Sequence, residues 1–552
     1  MKYDVCIVGS GAGGAPIAYE LANAGYKVVV LEKGPSYTEK DFTKDEIAVS
    51  RRGMYTPLLK DEQHVINDRD EDGSVTRYVG SENNWSFWNG SMVGGSSNLM
   101  SGYFHRKKPN DFRLKSKYGA IKGANIVDWP ISYDDLAPYY DKVEEIIGVS
   151  GNVVKHKFLE PRTNDQFAYE GLKVNGVTKW FDATCRGIGY ESIPTPRAIL
   201  PRDALDRKGC SYSNFCGSYG CATGAKGSAR AALLQKCKAK IISDAFVYKL
   251  ETHKTKVQKA YYYDKNKKSH TIEAKIFVVA AQAIETSRLL LNSKSANFKN
   301  GLANNSGQVG KNLIFSAGGV GQGRIRFEKL NEEQQKELMQ PGLFFNRTLQ
   351  GWYDYNYKGK KYKGGTIDFL FEHANIISRA TKSMYDEDGS LIWGKELQEK
   401  MHRDITTSRV LTFEVFNDWL PTDYCNVTLD NEVKDKFGVS VGAINLYSHP
   451  RDVKVGKHLA KKAKIVLERL GAEEISVNIS QAPPPNLVAG GCRFGINPKT
   501  SVLDLNCKAH EVENLYVADA SFMPTGGSVP YTWTIYANSF RIADAILDEL
   551  EA

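Results

Sequence analysis

Three cysteines crowd one short stretch of the chain in the pattern Gly209-Cys210-x5-Cys216-x4-Cys221, while the other six of the nine are scattered. Thiolates are soft ligands, suited to iron–sulfur clusters, zinc or copper(I). Structural zinc takes four ligands, commonly with a C-x2-C pair or a nearby His. Neither accompanies this trio, whose nearest histidines in sequence are His156 and His253. A disulfide would leave one thiol odd. Three cysteines match a three-iron cluster, or a four-iron one if Cys185 or Cys237 adds a ligand; free structural thiols are the plain alternative. A second stretch that could do chemistry is Gly9-Ser10-Gly11-Ala12-Gly13-Gly14, followed later by Glu32. Here Gly9 allows a tight turn, Gly11 lets a pyrophosphate approach the backbone, and Gly14 packs helix on strand. Glu32 would accept hydrogen bonds from ribose hydroxyls, and its charge disfavours a 2′-phosphate.

The elements needed to position these residues are legible. Tyr3 to Val8 reads as a buried parallel strand, Ala15 to Ala24 as a helix, and Val28 to Leu31 as a second strand ending in Glu32. The unit is therefore strand, glycine turn, helix, strand, with free N–H groups and positive dipole at the helix start for phosphates. That context makes it a dinucleotide site, for FAD or NAD. Val93 to Asn98 forms another small-residue turn. Ile276 to Leu291 reads as strand, turn and helix, and Asn514 to Pro524 as a strand closing on Asp519-Ala520. A last helix should run from about Thr534 to Glu551.

Composition narrows the function classes. Of 552 residues, 41% are apolar and 25% charged, as in ordinary folded proteins. No apolar run approaches the ~18 residues of a membrane span. The charge of +9, from 73 basic and 64 acidic residues, is dispersed in short runs. No basic stripe with stacking aromatics marks a nucleic-acid surface. No basic stretch followed by an apolar one opens the sequence, which by itself points to the cytoplasm.

These four segments, in this order, resemble the glucose–methanol–choline (GMC) oxidoreductases, with support from Trp129 to Leu136 and from Gly491-Cys492-Arg493-Phe494-Gly495. The resemblance covers nearly the whole chain. It implies an FAD-binding Rossmann-like α/β domain and an α+β substrate domain with an antiparallel sheet. It also implies FAD contacts at Gly94, Gly95, Ser96 and Asn98 beside the flavin, at Val247 by the adenine, and at Asp519 and Ala520. Some family members link FAD covalently through a His after the second glycine pair. Here that stretch reads Ser97-Asn98-Leu99-Met100, so non-covalent FAD is expected. With its cysteine trio the chain looks like the flavoprotein subunit of bacterial gluconate 2-dehydrogenase and FAD-dependent sugar dehydrogenases. That implies a [3Fe–4S] cluster on Cys210, Cys216 and Cys221, a cytochrome c subunit and a small export or assembly subunit. It further implies a periplasmic location, with membrane attachment only through those partners.

The family's usual catalytic pair is a His before the Cys-Arg segment and a His or Asn before the last helix. Counted from Arg493, the first falls on Leu487; the second falls near Pro530. Neither residue can accept a proton, and all ten histidines lie elsewhere. The nearest polar substitutes are Asn486 and Tyr531. His449 could reach the site from the other domain, as could His373. Residues 1–135, 200–312 and 485–552 are expected to form the FAD domain, and 136–199 and 313–484 the substrate domain. The expected activity is hydride transfer from an alcohol of a sugar, sugar acid or polyol to FAD, with electrons leaving through the cluster. A peroxide-forming oxidase and a non-catalytic electron-relay subunit are the alternatives.

Overall fold

The computed structural model describes residues 2–46, 63–80, 89–316, 318–340, 344–386, 388–479 and 487–552. Its first sheet grows around Tyr3–Val8, in which Val5, Cys6 and Ile7 are wholly buried. Such an apolar run, flanked by strands on both sides, suits a parallel strand covered on both faces. Val28–Leu31 lies on one side of it and Ser269–Val279 on the other, with Lys240–Ile242 and Leu515–Val517 extending the parallel set. Lys256–Tyr263 and Phe246–His253 add an antiparallel meander. The helices Gly14–Asn23, Tyr133–Val143 and Thr532–Glu551 pack together against this layer.

A second sheet is wholly antiparallel and six-stranded. Its order is Glu473–Asn478, Gly319–Arg326, Ser408–Asn417, Gly365–Phe371, Arg347–Leu349 and Ser192–Pro194. One face is covered by Pro450–Arg469, whose Val455, Leu459, Ala463, Val466 and Leu467 recur at helical spacing and join Leu411, Phe413 and Val415 in one core. The α/β-plus-antiparallel architecture expected from the sequence is the one observed. A smaller sheet joins Val65–Arg69 and Val75–Val79 from early in the chain to Ser440–Leu446 and Asn426–Lys434 from late in it. No described helix is long and apolar enough to cross a membrane.

Candidate functional site

Between the two large sheets lies a cavity of about 770 Å³. One end is built by the first glycine turn. Gly9 has φ +97°, and a Cβ there would sit 2.3 Å from the Ala280 carbonyl oxygen; at Gly14 it would sit 2.0 Å from the Gly9 oxygen. Those two glycines are demanded by the fold itself. Gly11 is different. A Cβ there would meet no protein atom nearer than Gly95 Cα at 3.9 Å, so the space above Gly11 is kept open for something else. The helix Gly14–Asn23 starts there with no side-chain cap and no acidic residue in its first turn. The Ala15 amide already donates to the Gly11 carbonyl at 3.0 Å and Pro16 has none, but no acceptor is described for the Gly13 and Gly14 amides, which with the positive dipole fit a pyrophosphate.

Glu32 lines this end, beside Val247, Phe246 and Lys33. Its Oε2 accepts from the Ser10 amide at 3.0 Å and the Ser10 hydroxyl at 2.6 Å, and its Oε1 from the Gly34 amide at 3.0 Å. Burial pushes the carboxyl up and these bonds pull it back. Each carboxylate oxygen has further lone-pair capacity, so a ribose hydroxyl can still be accepted. The Ser10 hydroxyl in turn accepts from the Gly94 amide at 2.9 Å, which ties the two glycine turns together. Gly94 (φ +92°) opens a short 3-10 turn, Gly95–Leu99. Gly95 and Ser96 line the cavity, whereas Asn98 braces the turn from behind by donating to the Val93 and Gly95 carbonyls. Asp519 and Ala520 also line the cavity. Asp519 accepts from the Gln282 amide at 3.1 Å, the Ser521 amide at 2.8 Å and the Thr286 hydroxyl, and burial pushes its carboxyl up.

The far end is walled by Leu99–Tyr103, by Leu370, Glu414 and Phe416 of the second sheet, by His373 just past that sheet's Gly365–Phe371 strand, and by Leu487, Val488, Pro530 and Thr532. Leu487 and Pro530, the positions where histidines were sought, therefore do face the cavity, and they face it as apolar groups. Tyr531 does not. Its ring is buried, and a methyl group at Gly526 would sit 2.3 Å from its hydroxyl and 3.1 Å from Asp418 Oδ1. Burial and the Asp418 charge push the phenol well above its usual range, so it is no base. His449 is also displaced from the expected role. It caps the helix Pro450–Arg469, accepting from the Arg451 amide at 3.1 Å, and its Nε2 donates to the Lys122 carbonyl at 3.0 Å. Asn486 lies outside the described residues. His373 lines the cavity, with Nδ1 donating to the Asn214 carbonyl at 3.2 Å.

The cysteine loop backs onto this far end. Gly217 and Ser218 line the cavity, and the Ser218 amide donates to the Leu99 carbonyl at 2.7 Å. Cys210, Cys216 and Cys221 pack against one small apolar cluster with Ile199 and Phe344. Lys226 is buried among them, its ammonium donating to the carbonyls of Asn98, Cys216 and Tyr219 at 2.9, 2.8 and 2.8 Å. That charge favours thiolate: it helps hold Cys221 below the usual thiol range, while burial pushes Cys210 up to about 12. Among the described residues no group of three or more His, Cys, Asp or Glu side chains could hold a metal ion. The metal-binding site expected on Cys210, Cys216 and Cys221 is thus not found among the described residues.

Sequence reading overlooked Glu414. Its signal is the alternation Leu411, Phe413, Val415 toward the core, which turns Thr412, Glu414 and Phe416 to the other face. The register that makes this consequential, Glu414 opposite Asp368, is a tertiary fact.

An open glycine turn at a bare helix start, an acid at the end of the next strand and a long cavity running to a second sheet together define a dinucleotide-binding protein with room for a substrate beside the cofactor. Family models described as GMC oxidoreductase match residues 8–316 and 421–539, and the chain belongs to that family of FAD-dependent enzymes acting on alcohol groups. It is similar to 2-methyl-1,2-propanediol dehydrogenase of Mycolicibacterium austroafricanum, at 30% identity over 98% of this chain and 95% of that protein. It is also similar to the fructose dehydrogenase large subunit of Gluconobacter japonicus, at 28% identity over 100% and 99%. Among solved structures, pyridoxine 4-oxidase from Mesorbium loti shares the fold, with a TM-score of 0.62 and 16% identity over 99% of each chain.

Proposed function

We propose that this chain is an FAD-dependent dehydrogenase that oxidises an alcohol group of a sugar, sugar acid or polyol and hands the electrons to a cytochrome partner through an iron–sulfur cluster on Cys210, Cys216 and Cys221. When bound, FAD supplies the two-electron acceptor for hydride. The chain's own residues hold it: the Gly9–Gly14 turn and helix start at the pyrophosphate, Glu32 at the ribose, and Gly95 and Ser96 farther along. The observation that carries the dehydrogenase reading is the position of the cysteine loop, whose Gly217 and Ser218 form cavity wall next to Cys216. Haem accepts electrons singly, so a one-electron centre held by these cysteines would supply a way to divide the pair. Cys210, Cys216 and Cys221 are the residues that would hold such a cluster, as thiolates. Burial pushes the Cys216 thiol up, against a downward pull from the Lys226 and Arg197 charges, and those same charges would offset the negative charge such a cluster carries. In the same reading the chain works on the periplasmic side, exported and attached through small partner subunits.

The test is anaerobic purification followed by iron analysis and electron paramagnetic resonance, with flavin absorbance followed as 2-methyl-1,2-propanediol, fructose and gluconate are added. Iron near three per chain and flavin bleaching by one of these alcohols are expected. Iron-free protein would remove the relay. An oxidase reading draws support from the similarity to paromamine 6'-oxidase of Streptomyces fradiae, 28% identical over 99% of this chain and 92% of that protein, and stoichiometric peroxide in air would favour it. A non-catalytic subunit draws support from Leu487 and Pro530, and failure of every alcohol to bleach the flavin would favour that.

A further inference from the structure

The cavity's titratable side chains fall into two groups. Lys33, His64 and Glu285 form a cluster at the glycine-turn end, with His64 Nε2 2.8 Å from Glu285 Oε1 and Lys33 Nζ 3.9 Å from Glu285 Oε2. Glu32 and Asp519 are engaged by backbone amides, as described. The far end, walled by Leu487 and Pro530, offers Tyr103, His373 and Glu414. Tyr103 is buried, and its phenol is pushed far above the ordinary range despite the Arg197 guanidinium 3.8 Å over its ring. It keeps its proton. His373 belongs to the cysteine-loop wall: a Cβ at Gly217 would lie 3.3 Å from its Nε2, and its ring packs on Tyr219.

Glu414 stands apart. It projects from the middle of the second sheet into the cavity, only partly accessible, and no donor among the described residues hydrogen-bonds its carboxyl. A carboxyl so placed, with nothing to do for the fold, is available to a ligand. We propose that Glu414 is the base that takes the hydroxyl proton of the substrate, in place of the histidine this chain lacks at Leu487. The proposal rests on the alcohol-oxidising reading above. The O–H proton passes to the Glu414 carboxylate and the carbon–oxygen double bond forms. The C–H hydrogen leaves with its electron pair as hydride to oxidised FAD. The neutral Glu414 acid then returns its proton to water.

The surroundings suit the role. Asp368 sits directly across the ladder, its carboxylate held by His105 at 3.1 Å and by the Thr348 hydroxyl. Val320, the partner on the other side, is uncharged. Burial first and the Asp368 charge second push the Glu414 carboxyl up to about 7, against a smaller downward pull from Arg197. A base works best with its pKa near the working pH.

The test is Glu414→Gln in the flavin-loaded full chain, beside His373→Gln. With the alcohol that bleaches wild type, E414Q should lower the anaerobic bleaching rate about 100- to 10,000-fold at pH 7.5, with the substrate Kd within fivefold. Wild type should lose rate as pH falls through about 7, an acid limb that H373Q keeps. A readout without turnover accompanies this. The Glu414 carboxyl is pushed up on folding, so its contribution to stability is present at acid pH and lost as pH rises through its folded value. The melting temperature of E414Q relative to wild type should therefore rise between pH 5 and pH 8. E414Q bleaching within threefold of wild type, or a loss carried by H373Q instead, overturns the proposal while leaving the alcohol-oxidising reading intact. So does an E414Q effect confined to the KM of amine-bearing alcohols, which would make Glu414 an ammonium anchor. A wild type that no alcohol bleaches overturns both.

Discussion

Replacing Gly11 by alanine separates what the glycine turn does for the fold from what it does for the cofactor. The nearest protein atom to a Cβ at Gly11 is 3.9 Å away, an ordinary contact, and Gly11 is not among the positive-φ glycines. The apoprotein should therefore keep its stability to within about 0.5 kcal/mol. The methyl group instead enters the space assigned to the pyrophosphate. Overpacking of a filled site costs about 1–3 kcal/mol, and about 1.4 kcal/mol is a tenfold change in affinity, so FAD should bind roughly 5- to 150-fold more weakly. Gly14→Ala is the control with the opposite signature. Its Cβ would lie 2.0 Å from the Gly9 oxygen and 3.0 Å from Ile7 Cγ2, so the apoprotein itself should melt earlier. Titration of each apoprotein with FAD by quenching of flavin fluorescence, together with apoprotein melting curves, reads both quantities. If Gly11→Ala bound FAD as tightly as wild type, the pyrophosphate would not lie over this turn, and the assignment of the cavity's two ends would fall.

Three further outcomes follow from the placements above. Tyr531→Phe should bleach with substrate at the wild-type rate, because the hydroxyl faces Gly526 and Asp418 and not the cavity; a hundredfold loss would restore it as a catalytic group. His449→Ala should cost about 1 kcal/mol of stability in a melting experiment through loss of the helix cap, with bleaching kinetics unchanged. Asp368→Asn removes the negative charge across from Glu414, so the acid limb of the bleaching rate should move to lower pH; a limb that stays in place would mean another group sets it.

The nucleotide end was legible in the sequence because its information is local. Gly9, Gly11, Gly14 and Glu32 act within one strand–turn–helix–strand unit, and spacing alone orders them. The cysteine trio was legible for the same reason, and what the sequence did not tell is that its loop forms cavity wall through Gly217 and Ser218. The base was illegible. Counting back from Arg493 to Leu487, and from the last helix to Pro530, found the right stretches of wall, but a count gives no side-chain direction, and Tyr531 points the other way. Glu414 lies in a strand whose apolar alternation could be read, yet its environment depends on pairing with a strand more than forty residues away in sequence. His449 carried an overlooked local signal: followed by Pro450, it sits where a helix begins, and proline at the first helical position is a start mark.

The ammonium of Lys226 grips three carbonyls at once, one from the turn beside the cofactor and two from the loop that bears the thiols. It works as a shared peg. A shift of either segment is therefore felt by the other through one side chain. The wall of the cavity and the cysteine loop are thus one mechanical unit, joined at a single ammonium.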